Sequence, residues 1–171
     1  MPHRFFHRHQ PHACLPCWMK AGFGSFAAFA VAWLLGDAAG ASLIVAPLGA
    51  SAVLVYGVPE SPLSQPAHVI GGHAVAGIVA LAADHLLPAG PWTLAGTVGA
   101  VIALVGLLRL THPPAGATAL VVMLTHPAWT FLFVPLLAGA TTLVAVALVV
   151  HRLPPRAVYP LPTPHTSPRS S

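Results

Sequence analysis

Two short motifs place a proline, small residues and a hydroxyl inside long apolar stretches. One runs over residues 47–54 and the other over 114–121; four of the eight positions are identical, and Ser51 corresponds to Thr118. Proline lacks an amide hydrogen and fits the first turn of a helix, so each motif is expected to begin a short helix. Free amides and a partial positive charge at such a start suit a small anion, above all if the two starts face one pocket.

The candidate anion-binding residues follow from these two starts. Small side chains leave the first-turn amides accessible, and the two hydroxyls add donors. A structural alternative stays open, in which two proline-kinked helices simply pack closely through small residues. The candidates are Pro47, Gly49, Ala50 and Ser51 in the first motif, and Pro113, Pro114, Gly116, Ala117 and Thr118 in the second.

Three basic side chains could act with these starts. His73 lies well inside an apolar stretch, where an ionisable group indicates a polar path or, alternatively, a hydrogen bond between helices. His112 precedes Pro113, which disfavours helix, so it is expected in an unwound link where it could bind an anion, transfer a proton or cap a helix. Arg109 could attract an anion or anchor the chain at the membrane surface.

The composition predicts that these residues lie in a membrane. Apolar residues make up 56% of the 171 residues and charged residues only 6%, against about 25% in a typical soluble domain. Between residues 21 and 151 the only fixed charges are Asp37, Glu60, Asp84 and Arg109. The uncharged stretches between them are long enough for membrane-spanning helices, which need about 20 residues. We therefore expect an all-α membrane protein.

An offset of 67 residues relates the two motifs and predicts an internal repeat over 18–87 and 88–151. Each half would comprise a helix, a broken half-helix and a second helix, giving four long spans and two short elements. Whether the short elements cross or re-enter stays open at this point. Crossing would place Arg109 on the cytoplasmic side, as the positive-inside rule favours.

The terminal segments are basic, so the positive-inside rule places both in the cytoplasm. The expected location of the domain is the plasma (bacterial inner) membrane. Residues 1–17 and 152–171 are expected to be disordered tails around a transmembrane domain over 18–151. The first tail contains Cys14 and Cys17 with several histidines, compatible with a weak metal site or a flexible tail. A reducing cytoplasm argues against a disulfide there.

Ordered motifs resemble those of the HPP family of integral membrane proteins. The family's His-Pro-Pro corresponds to 112–114, and further matches lie at 46–54, 60–66 and 68–73. The resemblance implies a core of four transmembrane helices, and it suggests nitrite or nitrate as substrate, because plant relatives are linked to nitrite transport.

The leading functional hypothesis is a transporter or channel for a small anion, held at the half-helix starts. The alternative is a non-transporting membrane scaffold or sensor subunit. No catalytic triad or paired carboxylates occur at useful spacing, so an enzyme is not expected. Nor do we expect a cofactor, a bound metal or nucleic acid. The expected partners are lipid, a small anion and, through small-residue stripes, a second copy of the chain.

Overall fold

The computed structural model describes residues 14–162, and within that range every regular element is helical. The expectation of an all-helical fold is thereby confirmed for the described residues. A 3₁₀ turn at Pro62–Ser64 precedes the third helix, and a π-helical segment at Leu132–Leu137 leads into the sixth. The six helices are α1 (Leu15–Ala39), α2 (Ala46–Gly57), α3 (Pro66–Leu86), α4 (Pro91–Leu107), α5 (Pro114–Thr125) and α6 (Ala138–Val150).

Proline determines where most of these helices begin. Each of the first five helices carries a proline at its first or second residue, including Pro47 in α2 and Pro114 in α5. The missing amide hydrogen costs nothing there, because first-turn amides have no partner within the helix. The predicted starts of both short helices are therefore where the structure has them.

Among residues 14–162, three segments are long and apolar enough to cross a membrane: Leu15–Ala39, Pro66–Leu86 and Leu132–Val150. The sequence predicted four. The fourth candidate, α4, has 17 residues and is about 25 Å long at the usual helical rise. It is short because α3 extends to Leu86 and a link over 87–90 precedes Pro91, while beyond its last residue the chain turns at Arg109, which has a left-handed φ of 58°. With 12 residues each, α2 and α5 are shorter still.

The two short helices run toward opposite ends of the bundle. One end of the bundle, called here the near end, contains the start of α1 and the ends of α2 and α6; the opposite end is called the far end. At the near end the His151 Nε2–H donates to the Val55 carbonyl at 2.9 Å. α3 begins at this end and finishes at the far end. There its Asp84 carboxylate lies 2.5 Å from His126 Nδ1, just beyond the end of α5. α2 and α5 therefore end at opposite ends of α3.

The described parts of the two segments expected to be tails, 14–17 and 152–162, lie against the bundle. α1 begins at Leu15 rather than near residue 18, and Cys14 and Cys17 form a disulfide at its start, so the expectation of reduced cysteines is wrong. The separation of three residues at a helix start brings the two sulfurs together. Residues 152–162 fold back over the near end, where the Leu161 N–H donates to Gln65 Oε1 at 2.8 Å. The predicted tail segments 1–13 and 163–171 lie outside the described residues.

Close helix packing depends on glycines that face the links between helices. Gly139 in α6 lies against the Leu43 carbonyl, which belongs to the link before α2, and against the side chain of Leu48 in α2. Gly72 in α3 lies against the link between α4 and α5 (residues 108–113), called here the second link. A Cβ added at Gly72 would be 3.1 Å from the Leu110 carbonyl oxygen and 2.8 Å from His112 Cβ. No side chain larger than hydrogen fits either position without moving backbone.

We expect Gly139→Ala to destabilise the protein by about 1–3 kcal/mol, as overpacking in a close-packed interior does. Its methyl group would clash with the Leu43 carbonyl. Gly99→Ala in α4 is the matched control, because nothing lies within 4 Å of a Cβ added there. Thermal unfolding in detergent measures both. A melting temperature for Gly139→Ala equal to that of Gly99→Ala would contradict the packing described here.

Candidate functional site

Four of the predicted residues meet in one buried hydrogen-bonded cluster, called here the histidine–hydroxyl network. Ser51 Oγ lies 2.8 Å from His73 Nε2 and 2.8 Å from His112 Nε2. The other nitrogen of His73, Nδ1, lies 2.8 Å from Thr118 Oγ1. None of the four residues is more than 1% exposed. The network joins α2, α3, the link before α5, and α5 itself.

A single backbone carbonyl sets the direction of every hydrogen bond in the network. His112 Nδ1 lies 2.8 Å from the Leu63 carbonyl, which can only accept, so Nδ1 carries the proton. In a neutral ring His112 Nε2 is then an acceptor, and the Ser51 hydroxyl donates to it. The Ser51 oxygen in turn accepts from His73 Nε2–H, which leaves His73 Nδ1 to accept from the Thr118 hydroxyl.

The resulting order is a continuous chain of donors from Thr118 to Leu63. Both rings are neutral in this arrangement, and every ring nitrogen has a partner. The Pro47 carbonyl, 3.3 Å from Ser51 Oγ, is a second acceptor to which that hydroxyl could turn. A chain of hydroxyls and imidazoles arranged in this way is able to pass a proton along its length by successive hops and rotations.

The elements around the network hold its two histidines by different means. His73 lies in the second turn of α3, fixed by its own helix. His112 lies outside any helix, and its link is held by a hydrogen bond from His68 Nδ1–H to the Thr111 carbonyl at 3.0 Å. Gly72, with no side chain, allows the His112 Cβ to approach α3. A side chain at position 72 would push His112 away from Ser51.

Apolar clusters enclose the network on both sides. One contains Leu48, Ala52 and Val69, which are neighbours of Ser51 in α2 and of His73 in α3. The other contains Ala115 and Ala119, on either side of Thr118 in α5. In such a low-dielectric setting hydrogen bonds are strong, and an unpaired polar group is costly. Loss of one member therefore affects the partners that remain.

The side chains of the other predicted site residues form no hydrogen bond in the network, and these residues differ in how deeply they are buried. Arg109 and Pro113 are exposed at the surface of the second link. Gly49 and Ala50 are exposed, and Gly116 and Ala117 are half-buried. Pro47 and Pro114 are buried at the two starts, where Pro47 contributes its carbonyl.

The starts of α2 and α5 lie side by side rather than end to end. Ser51 and Thr118 bond the same imidazole ring, so these residues are level and the two starts pass each other side by side. The amides of Ala115 and Gly116 already donate to the carbonyls of His112 and Pro113, at 2.9 and 3.1 Å. Open space nevertheless remains beside Gly49 and Gly116, where an added Cβ would meet nothing within 4 Å.

One functional group of the network was missing from the sequence analysis. The Leu63 carbonyl orients His112, and it comes from the 3₁₀ turn between α2 and α3. A backbone carbonyl carries no side-chain signal. The one indication in the sequence was the dipeptide Ser61-Pro62, which is typical of a turn. The sequence did not indicate that this turn lies beside His112, about 50 residues later in the chain.

Comparisons with known proteins agree with this architecture. The family described as "HPP, transmembrane region" matches residues 10–160. Two relatives from Dictyostelium discoideum, both described as transmembrane proteins, are 36% and 34% identical over 127 and 126 residues. These matches cover 70% and 69% of this chain but 45% and 40% of the relatives, so the chain spans less than half of their length. No solved structure matches it. Because the family match covers most of its residues, the chain belongs to the HPP transmembrane-region family of integral membrane proteins.

Proposed function

We propose that this protein transports a small anion, with nitrite or nitrate as the candidates, across a bacterial plasma membrane with both termini in the cytoplasm. The observation that carries the proposal is the histidine–hydroxyl network, which connects both short helices to α3 inside an apolar bundle. Buried ionisable groups in a membrane domain are costly and are typical of substrate or proton pathways.

The positions of the glycines support two inverted halves. Gly139 approaches the Leu43 carbonyl, and Gly72 approaches the Leu110 carbonyl. The same offset of 67 residues relates the two glycines and the two leucines. α2 and α5, which correspond under this offset, run toward opposite ends of α3. Inverted repeats of this kind are the usual basis for exposing one site alternately to each side of a membrane.

The opposed helices suggest how an anion reaches the network. α2 and α5 are antiparallel and lie side by side at Ser51 and Thr118. The first turn of α2 therefore faces the far end of the bundle, and the first turn of α5 faces the near end. An anion that enters from either side therefore meets the positive end of one short helix first. The space beside Gly49 and Gly116 lets it approach the backbone.

The network would then move a proton together with the anion. A proton delivered at Thr118 would shift each hydrogen of the chain by one place and displace the proton on His112 Nδ1. Because the Leu63 carbonyl can accept a hydrogen bond but not hold a proton, the displaced proton would pass to water or to the anion when the network opens. Rotation of the hydroxyls and rings would then restore the starting order with both imidazoles neutral. Such coupling offsets the charge of the anion, which lowers the cost of its passage through a low-dielectric interior. Movement of one half relative to the other would open the closed network, first to one side and then to the other.

In liposomes, we expect the purified protein to carry nitrite or nitrate inward faster than empty vesicles do. Gly116→Leu should reduce this flux at least about tenfold, since a leucine there blocks the start of α5. Gly96→Leu in α4 is the control, because a Cβ at Gly96 also meets nothing within 4 Å and Gly96 is exposed on a helix that contributes no residue to the network. Flux equal to that of empty vesicles would contradict the proposal and favour the non-transporting scaffold or sensor. Equal flux in the two variants would exclude a role for the α5 start.

Ser51→Ala should abolish proton movement coupled to the anion, because within the described part of the chain the hydrogen bonds between His73 and His112 run only through the Ser51 hydroxyl. It should also cost about 1–3 kcal/mol of stability, since two buried ring nitrogens lose their partner. The measurement is the internal pH of dye-loaded proteoliposomes after a pulse of nitrate, whose acid does not cross as a neutral molecule. Ser25→Ala, which removes only a bond to the Ala21 carbonyl within α1, is the control. Coupled acidification by folded Ser51→Ala protein at the wild-type rate would rule out the network as the proton path.

A further inference from the structure

A second polar site lies at the near end of the bundle, away from the histidine–hydroxyl network. It is a cleft of about 640 Å³ where the start of α1, the end of α2 and the end of α6 meet the chain that follows α6. Its charged lining residues are Lys20, Glu60 and Arg156, and the buried His151 forms part of its wall. None of these four residues takes part in the network described above.

His151 has a hydrogen-bonding atom left without a partner. Its Nε2–H donates to the Val55 carbonyl at 2.9 Å, while Nδ1 is buried and unpaired. The residue is only 2% exposed, so water does not cover it freely. Burial lowers the pKa of His151, which favours the neutral ring and leaves a lone pair on Nδ1. A group able to donate a hydrogen bond would satisfy it.

The charges of the cleft are likewise unpaired with one another. Within residues 14–162 the only carboxylate contacts at salt-bridge distance are those of Asp84 with histidines, so Glu60 is paired with neither Lys20 nor Arg156. Lys20 Nζ donates to the Pro155 carbonyl, which leaves two of its three protons free. The hydroxyl of Tyr159, whose ring lies 5.1 Å from that of His151, is buried without a partner as well.

We propose that this cleft binds the headgroup of a phospholipid that carries both a phosphate and a primary ammonium. Lys20 and Arg156 would hold the phosphate, whereas Glu60 and His151 Nδ1 would accept hydrogen bonds from the ammonium. The complementary arrangement explains why two cations, one carboxylate and one buried acceptor share a cleft without pairing among themselves.

The position of the cleft favours a lipid over a soluble compound with the same headgroup. It lies at the ends of three apolar helices, where headgroups lie in a bilayer. Trp18 is exposed at the same level, and Phe23, about one turn deeper in the membrane along α1, is exposed and would contact the acyl chains. Aromatic and basic side chains together at this depth are typical of the membrane interface.

The test is native mass spectrometry of the full chain released from detergent with phosphatidylethanolamine, phosphatidylcholine or phosphatidylglycerol of the same acyl chains. We expect phosphatidylethanolamine to bind about tenfold more tightly than phosphatidylcholine, whose methylated ammonium cannot donate a hydrogen bond. Arg156→Ala and Lys20→Met should each weaken its binding several-fold. Arg152→Ala is the matched control, since Arg152 is exposed at the same end but does not line the cleft.

Glu60→Gln keeps the shape of the side chain and removes its charge, so it should abolish the preference for phosphatidylethanolamine over phosphatidylglycerol. Equal binding of the ethanolamine and choline lipids, or equal effects of Arg156→Ala and Arg152→Ala, would overturn the proposal. Binding of soluble O-phosphoethanolamine as tight as that of the lipid would overturn the assignment to a lipid. Size-exclusion profiles identify variants that fail to fold, and Glu60→Gln then decides the matter.

Discussion

The structure depends above all on one serine hydroxyl that bridges two histidines in an apolar interior. Ser51 bonds His73 on α3 and His112 on the link before α5, and the Leu63 carbonyl fixes the direction of the whole chain of bonds. These contacts join elements that lie far apart in sequence. Every ring nitrogen has a partner only when all four side chains are present. The network therefore stabilises the contact between α2 and α5 and fixes how far each short helix is displaced along its axis relative to the other.

The packing around the network follows from small residues at a few positions. Prolines begin the short helices, and glycines at 72 and 139 let the two links run close to α3 and α6. The links supply irregular backbone in a region where lipid could not satisfy it, so they must be enclosed by protein. The same enclosure places His112 beside Ser51. Helix breaking, close packing and burial of a polar site are therefore consequences of one arrangement rather than separate features.

Much of this arrangement could be predicted from the sequence. The scarcity of charge indicated a membrane bundle, the prolines indicated where the short helices begin, and His73 and His112 stood out as ionisable groups in apolar stretches. The sequence could not show that Ser51 and Thr118 bond the same ring, since that depends on the displacement of α2 along its axis relative to α5. It also could not show the role of the Leu63 carbonyl, the length that α3 and the link after it take from the stretch containing α4, or the return of residues 152–162 over the near end.

The measurement that tests the central claim most directly is the ¹⁵N spectrum of labelled histidines in bilayers, with assignment by single substitution of His73 and His112. The order of donors derived from the Leu63 carbonyl predicts two neutral rings of opposite tautomer, with the proton on Nδ1 of His112 and on Nε2 of His73. Observation of the same tautomer for both rings, or of a permanently charged ring, would contradict the hydrogen-bond order on which the account rests.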